Sequence, residues 1–238
     1  MTSAIVLAGG LGTRLRNEVR NLPKPMAPIL NKPFLEHLLD YWIDQGIDHI
    51  HLSVGYMHEK IKNHFGNLYC DVPVTYSIEE VPLGTGGGLR LCIDQIDKDE
   101  NFLLINGDTF FPVPLDELNK KHFTNNSSAT LCLFNFNESD RYSEIIFDHN
   151  SNITGILSKN ESSKGFANGG VYMFNSSDLK KCFNFLPNKN LSLEDDIIPS
   201  LISKKFIVKA IIYKLPFIDI GVPKDYRLAP DFFKNMRY

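Results

Sequence analysis

The residues best suited to chemistry stand near the start of the chain, where a short apolar segment runs into a glycine-rich turn. Gly9, Gly10 and Gly12 let the backbone approach a ligand closely, and their N–H groups can face an anion. Arg14 and Lys24 add fixed positive charge beside the turn. A strand that ends in such a turn, with two basic residues behind it, is suited to hold a nucleoside triphosphate.

Two common glycine-rich motifs do not fit this turn. The dinucleotide fingerprint G-x-G-x-x-G fails because Leu15 stands at its third glycine when the motif starts at Gly10. The Pro-Lys-Pro segment at 23–25 also intervenes where that fingerprint leads to an acidic residue after a second strand. The phosphate loop G-x-x-x-x-G-K-[ST] occurs nowhere in the chain. A purely structural glycine turn stays open, although the neighbouring basic residues make it awkward.

Composition and charge narrow the class of protein. The chain has 238 residues, of which 43% are hydrophobic and 22% charged, as in a soluble globular protein with one core. A net charge of −3 favours small partners over nucleic acid. The four cysteines form no CxxC pair, and the first apolar run is too short for a signal peptide or membrane span. We expect a cytoplasmic protein with a single domain over 1–238 and no membrane partner.

Apolar periodicity predicts the elements that position these residues. The first half alternates strands at 3–8, 50–54, 72–78 and 102–105 with helices at 34–43, 57–65 and 89–96. The second half is less regular, with strands predicted at 129–136, 144–147, 153–157, 170–174, 206–213 and 216–220 and helices at 177–184, 194–203 and 223–234. Repeated β-α-β units predict an α/β fold with a doubly wound, mixed but mostly parallel sheet.

Five motifs carry a resemblance to a known family: LAGGLGTRL at 7–15 with PKPM at 23–26, PLGTGG at 82–87, NGDT at 106–109, NGGVY at 168–172 and DIGVPKDY at 219–226. Over roughly residues 3–235 the chain resembles the sugar-1-phosphate nucleotidylyltransferases, and among them the D-glycero-α-D-manno-heptose 1-phosphate guanylyltransferases. The resemblance implies a Rossmann-like nucleotidyltransferase fold whose N-terminal half binds an NTP and whose C-terminal half binds a sugar phosphate. The implied products are an NDP-sugar and pyrophosphate.

The resemblance also implies roles for the residues around the turn. The attacking phosphate is already ionised at neutral pH, so the reaction needs in-line positioning and charge neutralisation rather than a general base. Arg14 should bind the β/γ side of the triphosphate and Lys24 the α-phosphate, which makes both, with Asp108, candidate catalytic residues. The other residues expected to bind the nucleotide are Leu7, Ala8, Gly9, Gly10, Gly12, Thr13, Glu79, Gly84, Thr85 and Gly107.

Two aspartates are candidates for a metal site. Asp108 follows the apolar segment 102–105 and should lie at the carboxyl end of a strand, where ligands bind in open α/β sheets. Asp219 has apolar neighbours on both sides, and a carboxylate there is costly to bury unless it is paired or metal-bound. Two carboxylates with phosphate oxygens and water suit Mg²⁺. A turn or helix cap at Asp108 and an ion pair at Asp219 are the alternatives.

Glu79 stands where thymidylyl- and uridylyltransferases of similar pattern carry a glutamine that pairs with the pyrimidine. An ionised carboxylate only accepts hydrogen bonds, and guanine offers it two adjacent donors, N1–H and N2–H₂. Uracil, thymine and adenine mix donors and acceptors on that edge, and an unpaired contact costs about 1–3 kcal/mol. Glu79 therefore predicts GTP, unless it or Glu80 is only a solvent-facing strand end.

The sugar side is harder to read. Lys159 matches a family lysine that meets the sugar phosphate, although its sequence context departs from the usual acidic-Lys-Pro motif and a solvated loop lysine is the alternative. Asn168 and Gly169 should approach the sugar with amide and backbone groups. Glu194 is a candidate acceptor for sugar hydroxyls or a carboxylate at a helix N-terminus. Ser143 replaces a glycine in the Arg-Tyr-Gly pattern, which leaves the exact sugar open.

Several functions follow from these residues. The first is transfer from GTP to heptose 1-phosphate, with mannose 1-phosphate, UTP, CTP or dTTP as alternative substrates. The second is a non-catalytic nucleotide-sugar-binding regulator, against which the presence of Arg14, Lys24, Asp108 and Asp219 argues. Leu15 argues against a third function, a nicotinamide-dependent oxidoreductase, because it replaces the third glycine of the dinucleotide fingerprint. For heptose, the resemblance implies a product that feeds capsule, lipopolysaccharide or surface-layer glycan assembly, and a homodimer is the assembly we expect.

Overall fold

The computed structural model describes residues 2–96, 100–137, 141–158 and 164–236. The strands are β1 (Ser3–Ala8), β2 (Pro28–Ile29), β3 (Lys32–Pro33), β4 (His49–Val54), β5 (Leu68–Tyr69), β6 (Val72–Ile78), β7 (Asn101–Asn106), β8 (Thr109–Phe110), β9 (Ala129–Asn137), β10 (Glu144–Phe147), β11 (Ile153–Leu157), β12 (Lys164–Asn175), β13 (Val208–Ile212) and β14 (Ile218–Asp219). The α-helices are α1 (Phe34–Asp44), α2 (His58–Phe65), α3 (Gly84–Cys92), α4 (Leu115–Thr124), α5 (Ser176–Phe183), α6 (Ile198–Ser203) and α7 (Pro223–Asn235). Short 3-10 turns at Thr13–Leu15, Lys24–Met26 and Ile93–Gln95 and a π-helical turn at Leu193–Ile197 complete the described elements.

An eight-stranded sheet in the order β13-β9-β12-β7-β1-β4-β6-β5 forms the centre of the molecule. β1 pairs in parallel with β7 on one side and β4 on the other, and β6 continues parallel to β4. The long strand β12 runs antiparallel between β7 and β9, and β13 is parallel to β9. This mixed, mostly parallel sheet with flanking helices confirms the predicted α/β single-domain architecture, and the C-terminal half extends the same sheet.

The central strands are buried on both faces. In β7, Leu103 and Ile105 belong to one apolar layer, and Phe102 and Leu104 belong to the other. Such a strand is a continuous apolar run rather than an alternating one. Because β1, β4, β6 and β7 run parallel, their carboxyl ends meet at one edge of the sheet, where the chain must turn into polar loops.

Among the described helices, none combines the length and apolarity needed to cross a membrane.

The glycine cluster at 84–88 corrects one sequence prediction. We predicted a helix only from residue 89, but α3 already begins at Gly84. A Cβ atom on Gly86 would lie 2.8 Å from Ile197 Cδ1, so the glycines let the helix pack closely against the segment 191–197. Glycine disfavours a helix locally, and here tertiary packing outweighs that preference. Helix α4 was not predicted, and the strand expected at 216–220 is limited to Ile218–Asp219.

Candidate active site

A cavity of about 280 Å³ lies at the edge of the sheet where β1 ends. It brings together seven of the residues expected to bind the nucleotide: Leu7, Ala8, Gly9, Gly10, Glu79, Gly84 and Thr85. Lys24, Asn106 and Asp108 complete its polar wall. The apolar strand and the glycine turn that follow each other in sequence thus form one side of this cavity, and the start of α3 forms the other.

Three further residues of the nucleotide prediction lie outside the lining of this cavity, and two of them, Gly12 and Gly107, contact residues that line it. Gly12 has a φ of +57°, and a Cβ atom there would lie 2.9 Å from Lys24 Cβ, so the turn packs directly on the lysine. Gly107 donates its N–H to the Leu7 carbonyl at 2.9 Å. A Cβ atom on Gly107 would lie 2.7 Å from that same carbonyl oxygen, so only glycine allows this approach. Thr13 begins the short 3-10 turn and is exposed.

A second cavity of about 570 Å³ adjoins the first. Lys24, Thr85, Asn106 and Asp108 line both cavities. The second is also lined by five more residues that the sequence singled out, namely Arg14, Ser143, Asn168, Glu194 and Asp219. Two compartments that share Lys24 and Asp108 can hold two anionic substrates with their reacting groups at the shared wall.

The predicted metal pair, Asp108 and Asp219, is brought together by a short two-stranded contact. β8 and β14 are antiparallel, with Asp219 opposite Thr109, and the Ile220 N–H donates to the Asp108 carbonyl at 3.0 Å. Lys24 Nζ lies 2.5 Å from Asp108 Oδ2, and its side chain is only 11% exposed. Residues 111 positions apart in sequence thus share one small site.

The donor chemistry of this pair fits a divalent metal ion. Carboxylate oxygens are the ligands that Mg²⁺ prefers, and Mg²⁺ usually completes its shell with water and substrate phosphates. Within the described ranges, no group of three or more His, Cys, Asp or Glu side chains could hold a metal on its own. Asp108 and Asp219 would therefore hold the ion together with substrate oxygens.

No contact was predicted for Arg141, although it begins the segment at 141–143 that departs from the Arg-Tyr-Gly pattern. Its Nη2 donates to Asp219 Oδ2 at 2.7 Å, and its Nη1 donates to Asp225 Oδ2. The ion pair that we considered as an alternative for Asp219 is thus present. Both aspartates stand in the motif at 219–226, but nothing local to the sequence links them to residue 141.

Glu79 lies in the first cavity, which we call the nucleotide cavity because residues predicted to bind a nucleotide line it. Both of its carboxylate oxygens are hydrogen-bonded. Ser53 Oγ donates to Oε1 at 3.0 Å, and the Leu83 N–H donates to Oε2 at 3.1 Å. The backbone N–H of Glu79 donates to the Val54 carbonyl at 2.7 Å. Each carboxylate oxygen has a further lone pair, so the group can still accept hydrogen bonds from a ligand.

Asn168 and Glu194 line the second cavity and contact each other and Tyr172, a residue of the NGGVY motif for which no role was predicted. The Tyr172 hydroxyl donates to Glu194 Oε1 at 2.8 Å, and Asn168 Nδ2 donates to the same oxygen at 3.1 Å. Burial, followed by the negative charge of Glu194, raises the pKa of Tyr172 well above its ordinary value, so its hydroxyl stays protonated and can donate. Glu194 is thus a partner within the cavity as well as a residue of the π-helical turn.

Gly169 lies in an irregular part of β12. Gly169 is buried against Phe111, where a Cβ atom would lie 2.3 Å from the ring, and Gly170 has a φ of +75°. The pairing of β12 with β9 shifts register between Asn168 and Tyr172, so the two glycines form an irregularity that turns the Asn168 side chain into the site. The prediction for Lys159 lies outside the described residues.

Asn106 carries an unusual buried atom. Its Oδ1 is buried and has no hydrogen-bond partner among the described residues, although Asn106 lines both cavities. A buried polar atom of this kind normally finds a partner in protein or solvent. Its position at the shared wall is consistent with a ligand group or water as the missing partner.

Comparisons with known proteins show the family to which the chain belongs. The Nucleotidyl transferase family matches residues 3–235. The chain belongs to this family. It is 42% identical to the D-glycero-α-D-manno-heptose 1-phosphate guanylyltransferase of Aneurinibacillus thermoaerophilus, with 95% of this chain and 96% of that protein covered. It is 39% identical to the enzyme of the same name from Campylobacter jejuni, with 94% and 96% covered.

A solved structure is similar to this nucleotidyl transferase in fold as well as in sequence. HddC from Yersinia pseudotuberculosis complexed with GMP-PN is 33% identical and superposes with a TM-score of 0.82. The alignment covers 98% of this chain and 100% of HddC. Members of the family generally use a divalent metal ion. The fold that positions the two cavities is therefore the fold of HddC, whose structure was solved in complex with GMP-PN.

Proposed function

We propose that this chain transfers GMP from GTP to D-glycero-α-D-manno-heptose 1-phosphate, giving the GDP-heptose and pyrophosphate. A phosphate oxygen of the sugar forms a bond to the α-phosphorus of GTP, and the bond from that phosphorus to the pyrophosphate oxygen breaks. The observation that carries the proposal is that the nucleotide cavity and the second cavity share Lys24 and Asp108. The names of the relatives at 42% and 39% identity supply the substrates.

The proposed roles of the basic residues follow from charge. Lys24 and Arg14 bind phosphate oxygens, because bringing two anions together requires nearby cations. Lys24 sits at the shared wall, which suits the α-phosphate. Arg14 is exposed and lines the second cavity together with Lys24, and its proposed partner is the β/γ side of the triphosphate. The site would hold Mg²⁺ through Asp108 and Asp219, and the ion would neutralise charge on the transferred phosphate. Lys24 then moves its contact from Asp108 to phosphate.

The nucleobase is proposed to meet Glu79. Its carboxylate lies in the nucleotide cavity and keeps lone pairs on both oxygens, which suits the adjacent N1–H and N2–H₂ donors of guanine. On the other side, Asn168 and Glu194 are proposed to contact sugar hydroxyls, and Lys159 to contact the sugar phosphate. In this scheme the N-terminal half holds the nucleotide and the C-terminal half holds the sugar phosphate.

We also propose where the enzyme is located, how it assembles and which reactions use its product. A cytoplasmic location agrees with four free cysteines, of which three are buried. A homodimer is proposed as the commonest assembly of soluble enzymes. A GDP-heptose product would supply glycosyltransferases that build capsule, lipopolysaccharide or surface-layer glycans.

One assay tests the reaction. Pyrophosphate release would be measured with GTP, CTP, UTP, dTTP and ATP, each with heptose 1-phosphate or mannose 1-phosphate and with Mg²⁺ or EDTA. We expect the highest kcat/KM for GTP with heptose 1-phosphate, and no release in EDTA. If no pair of substrates supports release, the chain is not an active transferase; preference for mannose 1-phosphate would overturn only the choice of sugar.

A substitution of Glu79 tests which nucleobase the site prefers. Glu79→Gln presents one donor and one acceptor instead of two acceptors, so the preference for GTP over UTP should fall by roughly 5- to 150-fold. Glu80→Gln is the matched control, because Glu80 is exposed and outside the residues that line the cavity. An unchanged GTP preference in Glu79→Gln would remove Glu79 from base recognition.

A further inference from the structure

Strands β4 and β6 share a row of polar side chains that runs toward the nucleotide cavity. Alternate residues of a strand point to one face, and His51 and Ser53 of β4 stand opposite Thr75 and Ser77 of β6. Glu79 is the next alternate residue beyond Ser77. The apolar partners in these strands predicted the strands, but the polar residues between them define a second pattern that leads to Glu79.

Hydrogen bonds connect this polar row, in which His51 and Ser53 are buried and Thr75, Ser77 and Glu79 are partly buried. His51 Nδ1 lies 2.7 Å from Thr75 Oγ1, and His51 Nε2 lies 2.9 Å from Ser77 Oγ. Ser53 is 0% exposed, and its hydroxyl donates to Glu79 Oε1 at 3.0 Å. Buried polar groups lower stability unless they are paired, and apolar side chains would fill this space at less risk. A row of polar side chains on two adjacent strands therefore indicates a role other than packing.

Glycines keep the space around the carboxylate narrow but open. A Cβ atom on Gly88 of α3 would lie 2.9 Å from Glu79 Oε1 and 3.0 Å from Ser53 Oγ. A Cβ atom on Gly9, across the cavity, would lie 2.3 Å from the same oxygen. The carboxylate thus sits in a slot between two backbones, and Ser53 and the Leu83 N–H each hold one of its oxygens.

We propose that Ser53 is a positioning residue for nucleotide selection, whose hydroxyl fixes the Glu79 carboxylate in the plane that receives both N–H groups of guanine. The inference rests on the proposed role of Glu79 and adds the residue that orients it. Two parallel hydrogen bonds to guanine require a fixed carboxylate plane, and a carboxylate that rotates loses one of them. Ser53 therefore contributes to the affinity for GTP without touching the nucleotide.

The experiment compares four variants in the pyrophosphate assay. Ser53→Ala removes the donor, and Ser53→Cys nearly preserves the volume with a much weaker donor, which keeps the test usable if the alanine variant folds poorly. Ser77→Ala is the matched control, because it removes a hydroxyl from the same row without a direct contact to Glu79. Glu79→Gln reports on the base recognition itself. Each variant is measured for KM, kcat, GTP/UTP preference and thermal midpoint.

We expect the KM for GTP to rise roughly 5- to 20-fold in both Ser53 variants, with kcat little changed, because ground-state binding of the base is weakened. The GTP/UTP preference should fall with it, while Ser77→Ala keeps both. If Glu79→Gln loses GTP preference and the Ser53 variants keep it, Ser53 has no positioning role. If Ser53→Ala and Ser77→Ala change KM equally, the effect is general packing and the inference is also overturned. Retained preference in Glu79→Gln itself would overturn the base assignment on which the inference depends.

Discussion

At the scale of single residues, the site is a cluster of opposite charges that substrates must rearrange. Lys24 contacts Asp108, and Arg141 contacts Asp219 and Asp225. In this arrangement the cations satisfy the carboxylates. Phosphate groups attract the same cations, and a metal ion attracts the same carboxylates, so we propose that substrate binding exchanges one set of partners for another.

Asp108→Asn tests this exchange. The amide keeps the size of the side chain but removes the charge, so we expect kcat to fall roughly 100- to 1000-fold, as when a group that stabilises the transition state is lost. The Asp108 side chain is 39% exposed but its partner Lys24 is only 11% exposed, so the thermal midpoint should also fall when the lysine loses this charge. Turnover and thermal unfolding measure the two effects separately.

The control for this change is Glu117→Gln, which neutralises an exposed carboxylate paired with Lys121 on α4. This variant should match the unaltered chain in turnover. A kcat within about threefold of the unaltered chain in Asp108→Asn would exclude a metal or charge role for Asp108.

At the scale of elements, helix α3 contributes to both cavities. Its first turn is docked on the segment around Leu191, whose carbonyl accepts the Gly86 N–H at 2.8 Å. Thr85 Oγ1 accepts the Leu193 N–H at 2.9 Å, at the start of the turn that carries Glu194. Thr85 also lines both cavities. The glycines of α3 thus fix the position of one side of the site relative to the other.

Gly84→Ala should break this docking. Gly84 has a φ of +74°, and a Cβ atom would lie 2.4 Å from the Leu191 carbonyl oxygen, which is backbone and cannot move aside easily. Backbone strain and the clash together should lower the free energy of unfolding by roughly 2–5 kcal/mol. Urea denaturation followed by circular dichroism measures this change.

Gly155→Ala is the comparison for this helix prediction. A Cβ atom on Gly155 would have no neighbour within 4 Å among the atoms that the structure describes, and its φ is outside the left-handed region. The free energy of unfolding should stay within about 0.5 kcal/mol of the unaltered chain. Equal urea midpoints for the two variants would show that the start of α3 is not held as described.

At the scale of the whole molecule, the two apolar layers bury histidines that do not contact the candidate substrates. Burial lowers the pKa of His51 to about 4 and that of His122 to about 4. Both are therefore neutral in the folded protein near pH 7. In the unfolded chain a histidine takes up its proton near pH 6.5, so protonation favours unfolding as the pH falls.

The free energy of unfolding should thus be level above about pH 7 and fall between pH 6.5 and 4. The two histidines together predict a loss of about 2 kcal/mol between pH 6.5 and 5.5, where most carboxylates are still ionised. Urea denaturation at a series of pH values measures the slope, and His122→Gln should remove about half of it. A free energy that does not change between pH 7.5 and 5.5 would contradict the neutral buried state of both residues.

The predictability of the site depended on how close its parts are in sequence. The glycine turn and Lys24 were predictable because β1 leads straight into them, and Asp108 because it follows the apolar strand β7. Glu194 was ambiguous, because a carboxylate at a helix start and one facing a ligand look alike in sequence. The contacts of Arg141 and Tyr172 were not predicted, although both residues stand in segments that resemble the family, because their partners lie on other elements and short-range patterns do not show such contacts.

By itself, the sequence determined the alternation of strands and helices, the glycine turn with its basic residues, and the family to which those motifs belong. These features depend on local periodicity and side-chain chemistry, which are read along the chain. Only the tertiary structure decided that Asp219 lies beside Asp108, that Arg141 holds two aspartates, and that α3 begins at Gly84. Each of these depends on packing between distant segments, where burial and close contact outweigh local preference.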